Sequence, residues 1–305
     1  MKAARMNQWT APLTIEELPE PTPGDDQVLV RVRAASVNPI DRVIASGMLA
    51  SMYSVPMTPG TDFAGEVVAV GSNVTHVRPG DAVFGMSLAR GTFAEFAALS
   101  AEGVAPRPRA VDDLHAAAVP LSGLTAWQTL FYPDLGNLKR GQTVLILGAG
   151  GGVGSLAVQM AKNAGAHVIA LDRGNRRDFV KAVGADEFID SDVQRFENVV
   201  RNVDLVLDLI GGEFIERSFL VIKAGGRLIT TPAEVPEGAG EGYDVYATNT
   251  FTQPTVEDLT TLAQEIDAGR LKPFVNHTFP LAEAEAALHF KSQDSPPGNV
   301  VIVIA

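Results

Sequence analysis

The chain contains no cysteine, only five histidines, and no apolar run of the roughly 18 residues that a membrane-spanning helix needs. Without cysteine there is no disulfide, no thiolate nucleophile and no thiolate metal site. The N-terminal MKAARMNQW lacks a long apolar core, so a secretory signal is not expected. Positive charge is also scarce. With 24 Lys and Arg against 36 Asp and Glu the net charge is −12, which disfavours a nucleic-acid partner because phosphate binding needs a basic surface. A soluble cytoplasmic protein, with no membrane and no nucleic-acid partner, is the expectation.

What is present points to a large core. The 305 residues are 46% hydrophobic and 20% charged, a globular composition at a length that favours two domains over one. The stretch 143–172 organises the rest. The apolar run 144–147 suits one buried strand. Gly148, Gly150, Gly151, Gly152 and Gly154 follow, then a helical pattern carrying Leu156, Val158, Met160 and Ala161 to Gly165, then a second strand, 167–171, ending on Asp172. This order predicts a βαβ unit, because two parallel strands need a crossover and a helix supplies it. Glycines at the first turn let backbone approach a pyrophosphate, and the helix N-terminus offers free N–H groups. An acid about 20 positions on can bond a ribose hydroxyl, and Asp172 fills that place. The alternative is a tight turn in an ordinary α/β domain, which leaves the glycine density unexplained.

Ahead of this stretch, residues 1–105 read as mostly β. Strands are predicted at 13–18, 27–37, 64–70, 82–86 and 93–99, separated by turn residues at 21–26, 59–60, 71–73 and 79–81. Val28, Val30 and Val32 alternate with Leu29, Arg31 and Arg33, as on a half-buried strand. A short helix opens at Pro39. Helical patterns return from Asp112 and over 119–130, with Pro120 read as a break. After Asp172 the βα alternation continues: a helix over 175–183, a strand at 188–189, a strand over 203–209, a helix over 213–221 and a strand over 227–231. This is the repeat of a doubly wound parallel sheet. Residues 232–251 read as a loop. A helix with capping-box spacing starts at Thr255, followed by a strand over 271–279, a helix over 281–290 and a closing strand over 300–304.

The motifs, in this order, resemble the medium-chain dehydrogenase/reductase family in its zinc-independent quinone oxidoreductase and enone reductase branch. They are 35–41 (ASVNPID), 59–66 (PGTDFAGE), 79–85 (PGDAVFG), 91–95 (GTFAE), 121–126 (LSGLTA), 150–154 (GGGVG) and 183–186 (VGAD). The resemblance implies an α/β fold with a GroES-like β-rich catalytic domain, residues 1–118 completed by 260–305. It also implies a Rossmann domain with a doubly wound parallel sheet, residues 119–259, and a catalytic cleft between the two. A homodimer and a small-molecule quinone or enone substrate are implied as well. Three departures stand out: the chain is somewhat short for the family, the 232–251 loop has no family match, and a common Gly-Lys-Val-Val reads Gly298-Asn-Val-Val301, which removes a cation. Zinc alcohol dehydrogenases of the family carry a cysteine where Asn38 stands, a histidine where Thr61 stands and a third ligand near Leu121. None of these residues completes a zinc ligand set, and His76, His115, His167, His277 and His289 show no ligand spacing. No metal is therefore expected. Hydride transfer to an enone or quinone needs no Lewis acid, because the reduced nicotinamide carries the chemistry.

The candidate site residues each carry two readings. By resemblance Asn38 bonds the substrate carbonyl or the nicotinamide ribose; otherwise it caps the helix before Pro39. Asp41 reads as a first-turn acid. Tyr53, in a loop bordering the implied cleft, either supplies a hydrogen bond or proton to a developing enolate or is an ordinary surface tyrosine. For the cofactor, Thr125, Gly151, Gly152, Val153, Ile210, Gly211, Thr230 and Thr231 are the candidates; turn geometry and packing are the other reading of the last four. Asp172 favours NADH, whereas Arg173, Arg176 and Arg177 and the family habit favour NADPH. The expectation is an NAD(P)H-dependent reductase of quinones or α,β-unsaturated carbonyls. Its rivals are an alcohol dehydrogenase and a nucleotide-binding sensor or structural protein without turnover.

Overall fold

The computed structural model describes residues 1–290 and 297–305. The chain divides into two compact units, Met1–Leu121 with Pro254–Ala305, and Ser122–Gln253. In unit 1, β1 (Lys2–Arg5) and β2 (Thr14–Glu17) form a two-stranded ribbon. Then come β3 (Gln27–Val37), α1 (Pro39–Ala45), β4 (Asp62–Val70), β5 (Ala82–Met86), β6 (Phe96–Ser100), β7 (Val104–Pro106), α2 (Asp113–Ala117) and the start of α3 (Pro120–Phe131). Pro120 begins α3 rather than breaking it. Proline suits a first helical position, where its missing N–H would have had no partner.

Unit 2 holds β8 (Thr143–Leu147), α4 (Gly152–Asn163), β9 (His167–Asp172), α5 (Arg177–Ala182), β10 (Glu187–Asp190), β11 (Val203–Asp208), α6 (Glu213–Phe219), β12 (Ile222–Thr230) and β13 (Tyr246–Asn249). The strands are parallel in the order β10-β9-β8-β11-β12-β13. The order reverses at β8 and β11, and ligands of such sheets bind at the carboxyl ends of the strands beside that switch. β13 corrects the reading of 232–251 as loop. Its Tyr246 and Ala247 pair with Arg227 and Leu228, but an edge strand is half solvated and shows no apolar run. β12 also starts earlier than predicted, running through Gly225 and Gly226.

The chain returns to unit 1 with α7 (Val256–Asp267), β14 (Val275–Pro280), α8 (Ala284–His289) and β15 (Asn299–Val303). Thr255 caps α7 by accepting from the Asp258 N–H, and α7 packs against β7, so the whole helix sits with unit 1 rather than being divided near 260. Among the described residues the main sheet of unit 1 runs β14-β15-β3-β4-β5-β7, with β6 also on β3. β3 is buried on both faces for most of its length, not half-buried. β6 pairs with its first half and β15 with its second, and register shifts interrupt the alternation. Val30, Phe63, Phe93, Leu288 and Ile302 share this core, which ties the C-terminal segment to the N-terminal strands.

Candidate functional site

In unit 2 the glycine turn lies between β8 and α4. Gly148 takes φ +84°, and Gly151 caps the helix without any side-chain bond to its first N–H groups. Gly154 approaches the turn so closely that a Cβ there would stand 2.2 Å from the Gly148 carbonyl oxygen. The cradle is therefore built of backbone, with Gly151, Gly152 and Val153 half-exposed at the helix start, and it fits a pyrophosphate. Asp172 ends β9. Its Oδ2 accepts from the Gly150 N–H at 2.6 Å and its Oδ1 from its neighbour Arg173 N–H at 2.8 Å.

Of the three arginines, Arg176 lies 3.6 Å from Asp172 and Arg177 stacks over Phe188 at 4.6 Å, while Arg173 is exposed. Asp190, not singled out from the sequence, is the register partner of Asp172 on the adjoining strand. Two carboxylates thus end neighbouring strands. A pocket of about 310 Å³ beside them is lined by Leu171, Ser191, Val193, Phe214 and Arg217 among others.

At the end of β11, Asp208 shapes the next turn. Its carboxylate accepts from the N–H groups of Ile210 (2.9 Å) and Gly211 (3.0 Å) and from the Thr230 hydroxyl (3.3 Å). Burial raises its pKa against these bonds. Thr230 is fully buried and spends its hydroxyl here. Thr231 is half-buried and donates its N–H to the Asp208 carbonyl. Ile210 is 42% exposed at the strand end. Thr125, on α3, meets Thr252 hydroxyl to hydroxyl at 2.6 Å.

In unit 1 the surprise is a continuous chain of polar contacts. It starts at Tyr53, half-buried in the loop after α1, whose hydroxyl donates to the Leu88 carbonyl at 3.3 Å and accepts from Arg90 Nη2 at 2.8 Å. Arg90 Nη1 donates to Thr61 Oγ1 at 2.6 Å, and Thr61 donates to Asp41 Oδ1 at 3.0 Å. Asp41 Oδ2 accepts the Asn38 backbone N–H at 2.8 Å, the helix-start bond expected of a first-turn acid. The Asn38 side chain donates to Asp62 Oδ2 at 2.9 Å, and Asp62 Oδ1 accepts the Leu121 N–H at 2.9 Å.

Asp41 and Asp62 are fully buried and Arg90 is 7% exposed. Burial pushes Asp41 up to about 6, held back by the Asn38 N–H, Arg90 and Thr61. Burial also raises Asp62 well above the ordinary aspartate range, with the charge of Asp41 adding to it. Arg90, Asp62 and the link through Thr61 escaped sequence reading. Asp62 lies inside the PGTDFAGE motif, but nothing local marks Arg90. Positions 38, 61 and 121 are joined by this chain, and among the described residues no group of three or more His, Cys, Asp or Glu is placed to hold a metal ion.

Comparison with known proteins decides the family. Residues 24–109 match the model for an alcohol dehydrogenase GroES-like domain, 183–302 that for a zinc-binding dehydrogenase, and 133–212 that for an alanine dehydrogenase/PNT C-terminal domain. A chloroplast envelope quinone oxidoreductase homolog of Arabidopsis thaliana is 30% identical over 99% of this chain and 98% of its own. The chain belongs to the medium-chain dehydrogenase/reductase family. Its GroES-like and Rossmann-like domains are units 1 and 2, and as a family member it is an NAD(P)H-dependent oxidoreductase. An NADPH-dependent alkenal/one oxidoreductase of Arabidopsis thaliana chloroplasts is 31% identical over 91% of this chain and 72% of the relative. Among solved structures, the quinone oxidoreductase from Coxiella burnetii superposes with a TM-score of 0.89 at 30% identity, covering 100% of this family member and 99% of the other chain. No helix among the described residues is long and apolar enough to cross a membrane.

Proposed function

We propose that this oxidoreductase reduces quinones or α,β-unsaturated carbonyls, works without zinc and prefers NADH. The observation that carries the reading is the hydrogen-bond chain of unit 1. It places an amide, a hydroxyl and a backbone N–H at the three positions where the family's zinc enzymes keep ligands, and it ties them to Tyr53. When bound, the reduced nicotinamide supplies the hydride, which goes to the electrophilic carbon of the enone or to the quinone. A proton goes to the resulting enolate or hydroquinone anion, so one two-electron oxidation of the cofactor balances one reduction. Tyr53 hydrogen-bonds the carbonyl oxygen and supplies that proton by turning its hydroxyl from the long bond to Leu88; solvent then reprotonates it. Asn38, 3% exposed and bound to Asp62, fixes the start of α1 rather than reaching far toward substrate. Exposed Met48 and Met52 in the same loop as Tyr53, with Leu88 bonded to it, favour an apolar substrate.

The cofactor preference rests on Asp172 and Asp190. Two acids at neighbouring strand tips repel a 2′-phosphate; of the arginines, Arg176 is paired with Asp172 itself and Arg177 stacks on Phe188. The pocket beside those tips suits the adenosine end. Steady-state assays with 1,4-benzoquinone and a simple enone test the reading. We expect kcat/KM to be at least about tenfold higher with NADH than with NADPH, equivalent to about 1.4 kcal/mol, with the preference reduced or reversed in Asp172→Ser. Wild-type preference for NADPH would overturn the cofactor assignment, and stoichiometric zinc needed for turnover would overturn the metal-free one.

A further inference from the structure

Arg90 is built into its place at some conformational cost. It takes φ +69°, a left-handed conformation that residues with a side chain seldom adopt, directly before Gly91 at φ +103°. The turn carries the guanidinium into a buried position where each Nη serves a different partner, Thr61 on one side and Tyr53 on the other. The same guanidinium lies 5.2 Å from the Tyr53 ring centroid, so it grips the ring as well as the hydroxyl. A planar fork that bonds two acceptors at once fixes direction in a way an ammonium does not. On the far side, Thr61 passes the contact to Asp41, whose charge opposes that of the guanidinium in the interior.

We propose that Arg90 is a positioning residue for Tyr53. It anchors an otherwise exposed loop tyrosine to the buried acids of unit 1, and so sets where the phenol presents its hydrogen to the substrate oxygen. This rests on the reading of Tyr53 given above. It adds that the loop side chain is held by a cation delivered from a different loop, and that Asp41 serves as the counter-charge of that anchor.

The test is a double-mutant cycle of Arg90→Met and Tyr53→Phe, with Arg90→Lys as the charge-conserving variant. In enone reduction we expect Y53F and R90M each to lower kcat about tenfold or more, with NADH binding unchanged. The double variant should lose little beyond the worse single one, and R90K should recover only part of the loss. Single effects that multiply in the double variant, or an R90M enzyme with unaltered kcat, would overturn the proposal. Thermal unfolding of the four proteins of the cycle gives a second reading that needs no turnover. The drop in Tm caused by R90M should be smaller in the Y53F background; equal drops would overturn the anchor. If R90M does not fold, the R90K and Y53F cycle is read in its place by the same criteria. A wild type inactive on every quinone and enone would strike the functional reading alone, and the unfolding cycle would then decide on Arg90.

Discussion

Gly154→Ala is expected to cost this protein its dinucleotide. The added methyl would stand 2.2 Å from the Gly148 oxygen and 2.7 Å from the Ala149 Cα. Both are backbone atoms of the turn that must cradle the pyrophosphate, and neither can rotate away as a side-chain tip could. Either the first turn of α4 moves off the sheet or the cradle opens, and each displaces the N–H groups aimed at the phosphates. A rise in Kd for NADH of roughly 100-fold, about 2.7 kcal/mol, is expected in a fluorescence titration, with a fall in Tm. Gly151→Ala is the internal control for stability, because its Cβ would touch only the Gly148 oxygen, at 3.4 Å. It should fold like the wild type. A G154A protein that binds NADH within about threefold of wild type would contradict the cradle, on the scale where tenfold is 1.4 kcal/mol.

The second large effect is a pH dependence of stability centred on Asp41. Burial pushes its folded pKa up to about 6, whereas the unfolded chain titrates near an ordinary aspartate value of about 3.9. Between these values the folded state binds more protons than the unfolded one. Stability from this group is therefore highest below about 4 and declines as pH rises through about 6. A shift of about two units corresponds to about 3 kcal/mol. Asp62 works in the same direction, being raised by burial and by the charge of Asp41.

Glu197 works in the opposite direction at lower pH. Burial would raise it, but hydrogen bonds from Arg217, its own N–H and Arg195 bring it down to about 2. Its contribution to stability is therefore present above its unfolded value and lost on acidification through about 2. Comparison with Asp41→Asn cancels that background. Urea unfolding at pH 7 and pH 4 should show the wild type gaining about 2 kcal/mol relative to D41N at the lower pH, where the unfolded aspartate is still about half ionised. A constant gap would mean that burial does not raise the folded pKa of Asp41 above its unfolded value.

Where the fold was legible in the sequence, local chemistry and tertiary demand agreed. β8, α4 and β9 show a buried run, a glycine turn, a helical period and a terminal acid within one continuous segment. β3 could be placed to its ends because valines and turn residues bound it. β13 was hidden because an edge strand needs no apolar face, so YATN reads as loop. The start of β12 was hidden by two glycines in mid-strand. The site was legible only in parts. The glycines and Asp172 announce themselves by spacing, and Asn38 and Tyr53 came from family likeness. Arg90 meets Tyr53 and Thr61 only after three separate loops and strands come together, and no local period or cap encodes such a meeting. Asp190 likewise gains its meaning from the register that sets it beside Asp172.

The central claim is that this chain moves hydride from a nicotinamide to an electrophilic carbon without reducing the carbonyl itself. The direct measurement is turnover of a simple enone with NADH carrying deuterium at both C4 positions, followed by mass and NMR analysis of the product. The account predicts a saturated ketone with one deuterium at the β-carbon. An allylic alcohol with deuterium on the carbinol carbon, or a saturated product without deuterium, would contradict it.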